Sequence, residues 1–467
     1  MFVKLMHRVF VCLVVLLTNN SLAAEADKAG SRDCLAANWD YAGIEQLISD
    51  GRYRYVRQDA DNKHPEFSFN SELDFGQYLQ HATRLIESAN PRANRPCPLF
   101  TDTYKLLAQQ NNWSGTPNVS RLVAPFELKQ AKAGKAILLI HGLTDSPFMF
   151  HDLAHFYYRQ GFTVRTLLLP GHGTAASDLL EVELSQWQQA AAYGITRMLK
   201  DFDQVYLGGF STGGALILDY LQRQQAPDAK IKGVFMWSPA SKAYSELAWL
   251  AQYLDYVPML DWLDLDADID FAKYESFPYN AAAQVNNLMQ DLAQAEPVNR
   301  KKLFDIPLFV VASEHDRTID TRATLDIIRL WQQGGEITSG QDVLMYFGDR
   351  QKAAAVLPAS VKLVVPQCKE QGLCKHIPDI AHTAPTNAPE NPHYGLMGLY
   401  RNCTHYLADP GRYRQCKTAG KVILGEKTEA NLNKTLPLQR LTFNPYYHQM
   451  LDLMRQFMAE TNSGIGK

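Results

Sequence analysis

The residues best suited to do chemistry are Gly209-Phe210-Ser211-Thr212-Gly213. Glycine on either side of a serine lets the chain reverse tightly, leaving the hydroxyl exposed on a strained turn. Such a hydroxyl becomes a nucleophile once a base removes its proton. A helix starting beside it would aim backbone N–H groups at developing negative charge. The competing reading is a glycine-rich helix start with Ser211 as a simple N-cap. Its place between an apolar run and a helical pattern favours the first. A second loop, His141-Gly142-Leu143-Thr144-Asp145-Ser146-Pro147, follows the apolar run Ala136–Ile140. It could supply the Leu143 N–H opposite that of Thr212, making a two-donor oxyanion hole. One such donor is worth roughly 3 kcal/mol in a transition state. In the third turn, Pro170-Gly171-His172-Gly173, His172 reads as a structural histidine hydrogen-bonded near the site.

These turns need rigid elements behind them. Apolar strand-like runs at Ala136–Ile140, Phe162–Leu169, Gln204–Gly209 and Ile231–Met236 alternate with helical patterns at Leu184–Phe202 and Thr212–Gln222. That alternation predicts a parallel sheet covered by helices on both faces. It resumes with strand Ile306–Ala312, helix Thr321–Gln332 and strand Ser360–Val365, while 334–359 does not fit it and carries no assignment. Between the two halves, residues 240–303 are rich in aromatic and acidic side chains. An insertion of that length is expected to be a lid over a site rather than a structureless loop. Its apolar side chains could line an acyl groove or form the lid's own core. Residues 24–130 are polar, with helices expected at Ile44–Ser49 and Phe75–Glu87, the latter apolar at helical spacing.

Composition excludes other classes. The 467 residues carry a net charge of −3, 46% hydrophobic and 20% charged residues, which suits a folded globular protein. Nothing in that balance favours nucleic acid or an anionic membrane, so at most peripheral membrane contact is expected. Lys4, His7 and Arg8 precede nine apolar residues, Val9–Leu17, and Ser21 and Ala23 sit where a signal peptidase requires small residues. This predicts a cleaved leader, residues 1–23, and export to periplasm or medium. The apolar run is far short of the about 20 residues of a membrane span, which argues against an uncleaved anchor. Of seven cysteines, Cys12 would leave with the leader. The remaining six suggest disulfides, and proximity favours Cys34–Cys97, Cys368–Cys374 and Cys403–Cys416. Asp264, Asp266, Asp268 and Glu275 mimic a calcium-loop spacing, but Ile269 stands where that loop needs glycine.

The three turns, each after a strand and in this order, resemble those of the α/β-hydrolase superfamily. The resemblance is to its monoacylglycerol-lipase, bacterial carboxylesterase and serine-aminopeptidase-like branch, over roughly residues 135–395. It implies an α/β-hydrolase fold: a mostly parallel central sheet, helices on both faces and a cap insertion. The implied layout is an N-terminal extension (24–130), a core in two parts (131–239 and 304–400), the cap (240–303), and a tail (401–467) packed on the core. It further implies a triad running serine, acid, histidine along the chain. The acid follows a late strand, which points to Asp316 in Ser313-Glu314-His315-Asp316-Arg317-Thr318, with Glu314 and Asp320 as alternatives. The histidine follows the last strand, where Asp379-Ile380-Ala381-His382-Thr383-Ala384-Pro385 best fits; His376 and His393 remain open, and His405 lies further on. The implied function is an exported serine hydrolase that cleaves small carboxylic esters or lipids with Ser211, Asp316 and His382, and no metal or cofactor is expected. Peptide or amide cleavage is the alternative, the acidic residues Asp261, Asp264, Asp266, Asp268 and Asp270 being able to hold a free amino terminus. A non-catalytic exported binding protein on the same fold is the other.

Overall fold

The computed structural model describes residues 33–35, 69 and 72–463, apart from 133, 225, 255–259, 265–268, 295–305, 332–341 and 369–375. The expected leader and the helix expected at Ile44–Ser49 lie outside these residues. The strands in chain order are β1 (Glu127–Leu128), β2 (Lys135–Ile140), β3 (Phe162–Leu167), β4 (Gln204–Phe210), β5 (Ile231–Trp237), β6 (Trp262–Asp264), β7 (Phe277–Pro278), β8 (Leu308–Ser313), β9 (Val343–Phe347), β10 (Lys362–Val364), β11 (Ile423–Gly425) and β12 (Leu438–Arg440). Eight of them form one sheet in the order β1-β3-β2-β4-β5-β8-β9-β10. Every pairing is parallel except that of the edge strand β1 with β3. This is the mostly parallel sheet expected from the alternation of strands and helices, in the α/β-hydrolase architecture that the resemblance implied.

Because strand side chains alternate, a sheet with two covered faces reads as continuous apolar sequence. In β2, Ala136, Leu138 and Ile140 enter one core and Ile137 and Leu139 the other. The helices Leu184–Asp201, Thr212–Arg223, Tyr279–Gln294 and Thr321–Trp331 contribute buried apolar side chains to the first core. Helices His151–Arg159 and Tyr447–Ser463 cover the second.

The segments flanking the α/β core are built into it. Helix Phe75–Ala89 starts with a capping box on Asp74 and Gln77 and buries Phe75, Tyr78, Ala82 and Ile86 in the first core. The Tyr78 hydroxyl accepts the Leu168 N–H at 2.7 Å, tying this helix to the chain leaving β3. At the other end, Phe457 packs on Phe235 and Phe309, with ring centroids 5.1 and 5.7 Å away. Residues 334–359 contain a strand after all: β9, fully buried, with helix Arg350–Val356 behind it. Val-Leu-Met-Tyr-Phe is a buried-strand composition, but its pairing with β8 and β10 supplies the context that a short apolar run lacks. The segment 240–303 puts helix Tyr279–Gln294 into the same helical layer as Thr212–Arg223, burying Ala281, Leu288 and Leu292.

The disulfides with both cysteines among the described residues are Cys34–Cys97 and Cys403–Cys416. Cys368 is also disulfide-bonded, and its expected partner Cys374 lies outside the described residues. Among the described residues no helix is long and apolar enough to cross a membrane.

If the C-terminal helix is part of the core, Phe457→Ala, removing a side chain only 1% exposed, should lower the unfolding free energy by about 3–5 kcal/mol. Urea denaturation of the two proteins measures this.

Candidate active site

Strand β4 runs straight into helix Thr212–Arg223, and Ser211 takes the reversal with φ 49° and ψ −116°. A non-glycine residue at positive φ is costly and persists only where its surroundings hold it. Here they do: the Ser211 N–H donates to Trp237 O at 3.0 Å, and its carbonyl accepts the Ala240 N–H at 3.0 Å. The flanking glycines are obligatory through close approach. A Cβ on Gly213 would lie 1.9 Å from the Ile140 carbonyl oxygen, and one on Gly209 would lie 2.4 Å from the Gly214 nitrogen.

The Ser211 Oγ lies 3.1 Å from His382 Nε2. His382 Nδ1 lies 2.6 Å from Asp316 Oδ2. A neutral imidazole that donates Nδ1–H to the carboxylate leaves the Nε2 lone pair facing the serine hydroxyl, an assignment made from these partners. Asp316 follows β8, and its other oxygen accepts the Thr318 and Ile319 N–H groups at 2.7 and 2.8 Å, which fixes the carboxylate plane. All three side chains are buried.

The other residues weighed from the sequence are engaged elsewhere. Glu314 accepts from Lys352 and from the Asp349 N–H, and Asp320 pairs with Arg322. His376 is exposed. His393 is fully buried and donates from Nε2 to Asp270 Oδ1 at 3.0 Å, while the other oxygen of Asp270 accepts the Tyr394 hydroxyl. His405 faces the Leu438 carbonyl, and burial pushes its imidazole down to about 4. Of the calcium-like set, Glu275 accepts the Tyr400 hydroxyl and the Ile269 N–H, whereas Asp266 and Asp268 lie outside the described residues.

Two neutral histidines shape the loop beside the serine. Burial holds His141 well below its ordinary range and His172 down to about 4. His141 donates Nδ1–H to Gly142 O at 2.8 Å, and its Nε2 accepts the Leu169 N–H. His172 donates Nδ1–H to Pro170 O, and its Nε2 accepts the Thr144 N–H at 3.0 Å. Thr144 sits at φ 68°, and its carbonyl accepts the Tyr274 N–H from the segment after β6. The loop thereby presses on the serine: a Cβ on Gly142 would be 3.0 Å from Ser211 Cβ. Leu143 follows Gly142 in this loop, and Thr212 follows Ser211 as the first residue of its helix.

Three charged groups near the site carried no signal in the sequence. Asp145, half-buried in the same loop, has its carboxyl pushed up to about 6 by burial, with Lys273 and His382 opposing the shift. Glu426, fully buried, accepts the His382 N–H at 3.1 Å and forks onto Arg440 at 2.7 and 2.9 Å. Burial works against its charge, yet Arg440 and these N–H donors bring it down to about 2. Glu426 and Arg440 are isolated residues in a polar segment, and only their meeting in space gives them a role.

A model of the alpha/beta hydrolase family matches residues 137–359, the span that holds β2 through β9 and Ser211. The chain has the α/β-hydrolase fold, and over these residues it matches that family. It is similar to a thermostable monoacylglycerol lipase of Bacillus sp., with 31% identity over 94 residues, which is 20% of this chain and 37% of the lipase. It is also similar to a carboxylesterase of Bacillus subtilis, with 22% identity over 208 residues, 44% of this chain and 80% of that enzyme. The match to the lipase thus spans little more than a third of that protein's length. Among solved structures, a metagenome-derived lipolytic enzyme is 19% identical with a TM-score of 0.40, covering 50% of this chain and 94% of that one. The monoacylglycerol lipase of Paleococcus ferrophilus is 18% identical with a TM-score of 0.35, covering 48% and 88%.

The raised Asp145 carboxyl has a measurable sign. An unfolded aspartate titrates at about 3.9, so between that pH and about 6 the folded state of this protein holds the extra proton. Its stabilising contribution is complete below about pH 4 and is lost as pH rises through about 6. Asp145→Asn should remove that slope, so the variant gains stability on the wild type between pH 4 and pH 7. Urea midpoints for both proteins across this range test the sign.

Proposed function

We propose that this hydrolase cleaves carboxylic esters through an acyl-enzyme, with Ser211 as nucleophile, His382 as base and Asp316 as the orienting acid. The carrying observation is the hydrogen-bonded series Ser211 Oγ, His382 Nε2 at 3.1 Å, His382 Nδ1 and Asp316 Oδ2 at 2.6 Å. Ser211 Oγ attacks the acyl carbon while His382 Nε2 takes its proton, and Asp316 holds the tautomer and stabilises the imidazolium. The carbonyl oxygen gains its negative charge against the N–H groups of Leu143 and Thr212. His382 then returns the proton to the departing alkoxide, which leaves as an alcohol. Water, deprotonated by the same nitrogen, releases the acid and restores the serine.

The relatives named as a monoacylglycerol lipase and a carboxylesterase support an ester of a fatty or short carboxylic acid as the substrate class. The aminopeptidase reading is weaker than the sequence alone suggests. Asp270, one of the carboxylates that could meet an amino terminus, is fully buried and held by His393 and Tyr394. Export to the periplasm or medium is part of the same proposal. It rests on the leader-like Met1–Ala23 pattern and on the disulfides, which persist in oxidising compartments.

Ser211→Ala should lower p-nitrophenyl ester turnover by at least roughly 10³-fold with KM little changed, and a fluorophosphonate should label the wild type on the peptide containing Ser211. Equal turnover by the two proteins, or labelling elsewhere, would reject the assignment. Faster cleavage of aminoacyl p-nitroanilides than of esters would move it to the amide reading.

A further inference from the structure

We infer that Glu426 and Arg440, an ion pair from the C-terminal segment, are positioning residues that hold the His382 loop against the Asp316 loop in the catalytic register. The inference rests on the triad proposed above and extends it to a part of the chain outside the family match, which ends at residue 359.

His382 lies in a stretch without helix or strand, so regular structure does not fix its backbone. Its N–H is buried and needs an acceptor. Glu426 Oε2 supplies it at 3.1 Å. The same carboxylate receives Arg440 Nε on one oxygen and Nη2 on the other. Arg440 Nη2 also donates to the Thr318 hydroxyl at 3.0 Å. Thr318 in turn gives its N–H to Asp316 Oδ1 at 2.7 Å. With the bond between Asp316 Oδ2 and His382 Nδ1, these contacts close a ring: Asp316, Thr318, Arg440, Glu426, His382. The imidazole is thereby held from its backbone side and its Nδ1 side at once, which leaves Nε2 a narrow range of positions facing Ser211.

The ring is itself well anchored. Glu426 and Arg440 sit directly after β11 and at the end of β12, and the Leu441 N–H donates to Gly425 O at 2.9 Å. The Glu426 N–H donates to Asp379 Oδ1 at 2.7 Å, three residues before His382. The Cys403–Cys416 disulfide holds the neighbouring turn, where Gln439 donates to Cys416 O. A planar, forked guanidinium can bridge two carboxylate oxygens and a hydroxyl together; an ammonium on a flexible stem cannot hold that geometry.

Arg440→Lys tests this, because it keeps a countercharge for buried Glu426 while losing the fork. A displacement of the base of about 1 Å can cost up to roughly 10²-fold in rate, and we expect kcat for a p-nitrophenyl ester to fall about tenfold with KM within about twofold. The rate of fluorophosphonate labelling at Ser211, which does not depend on substrate binding, should fall in parallel. A folded Arg440→Lys protein with wild-type kcat and labelling, or with only KM changed, overturns the inference. Should that variant fail to fold, Thr318→Val decides. Its side chain is exposed, so loss of the hydroxyl leaves melting unchanged; a kcat lowered about threefold or more supports the bridge, and a wild-type kcat overturns it. If the wild type itself is not labelled at Ser211, the triad reading has failed; if it is labelled and both variants match it, only the positioning role has failed.

Discussion

The site depends on one close approach: the backbone of Gly213 lies against the carbonyl of Ile140, leaving no space for a side chain. That contact lets β4 turn into its helix within one residue, forcing Ser211 to positive φ and lifting its hydroxyl clear of both elements. Backbone strain of this kind costs on the order of 1–3 kcal/mol and needs a surrounding that leaves no alternative. The parallel sheet provides it. β2 and β5 flank β4 on either side, and Trp237 at the end of β5 accepts the serine N–H.

Around this fixed serine, buried groups act as neutral hydrogen-bonding pieces rather than as charges. His141 and His172 are held in the unprotonated form by burial, so each can accept a backbone N–H at one nitrogen while donating from the other. An imidazolium would have no lone pair for Leu169 or Thr144. The shape of the loop carrying Leu143 thus follows from desolvation, which keeps both imidazoles able to accept a backbone N–H.

Segments on both sides of the family match in the chain reach the site. From the N-terminal side, Arg92 donates to the Asp270 carbonyl and Asn90 to the Gly173 carbonyl, tying the segment after β6 and the third turn to the core. From the C-terminal side, the segment with β11 and β12 carries the buried ion pair that meets the backbone of His382. A buried pair of this kind adds little net stability compared with apolar residues, but it tolerates few alternative geometries. That suits a role in register.

What the sequence determined by itself is local. The periods of apolar residues marked β2, β3, β4, β5 and β8 and their helices, because burial on both faces leaves a continuous apolar run. Gly209-Phe210-Ser211-Thr212-Gly213 was legible because glycine is the residue type that fits such a turn. β9 was missed because a five-residue apolar run has no period of its own without paired neighbours. The choice among His376, His382, His393 and His405 was a matter of pattern alone, since each is equally able to act as a base. Only the tertiary structure separates them, placing His382 Nε2 at Ser211 and committing His393 to Asp270. Glu426 and Arg440 were invisible for the same reason. Their partners are 44 and 122 positions away, and long-range pairing is a property of the folded packing rather than of any window of residues.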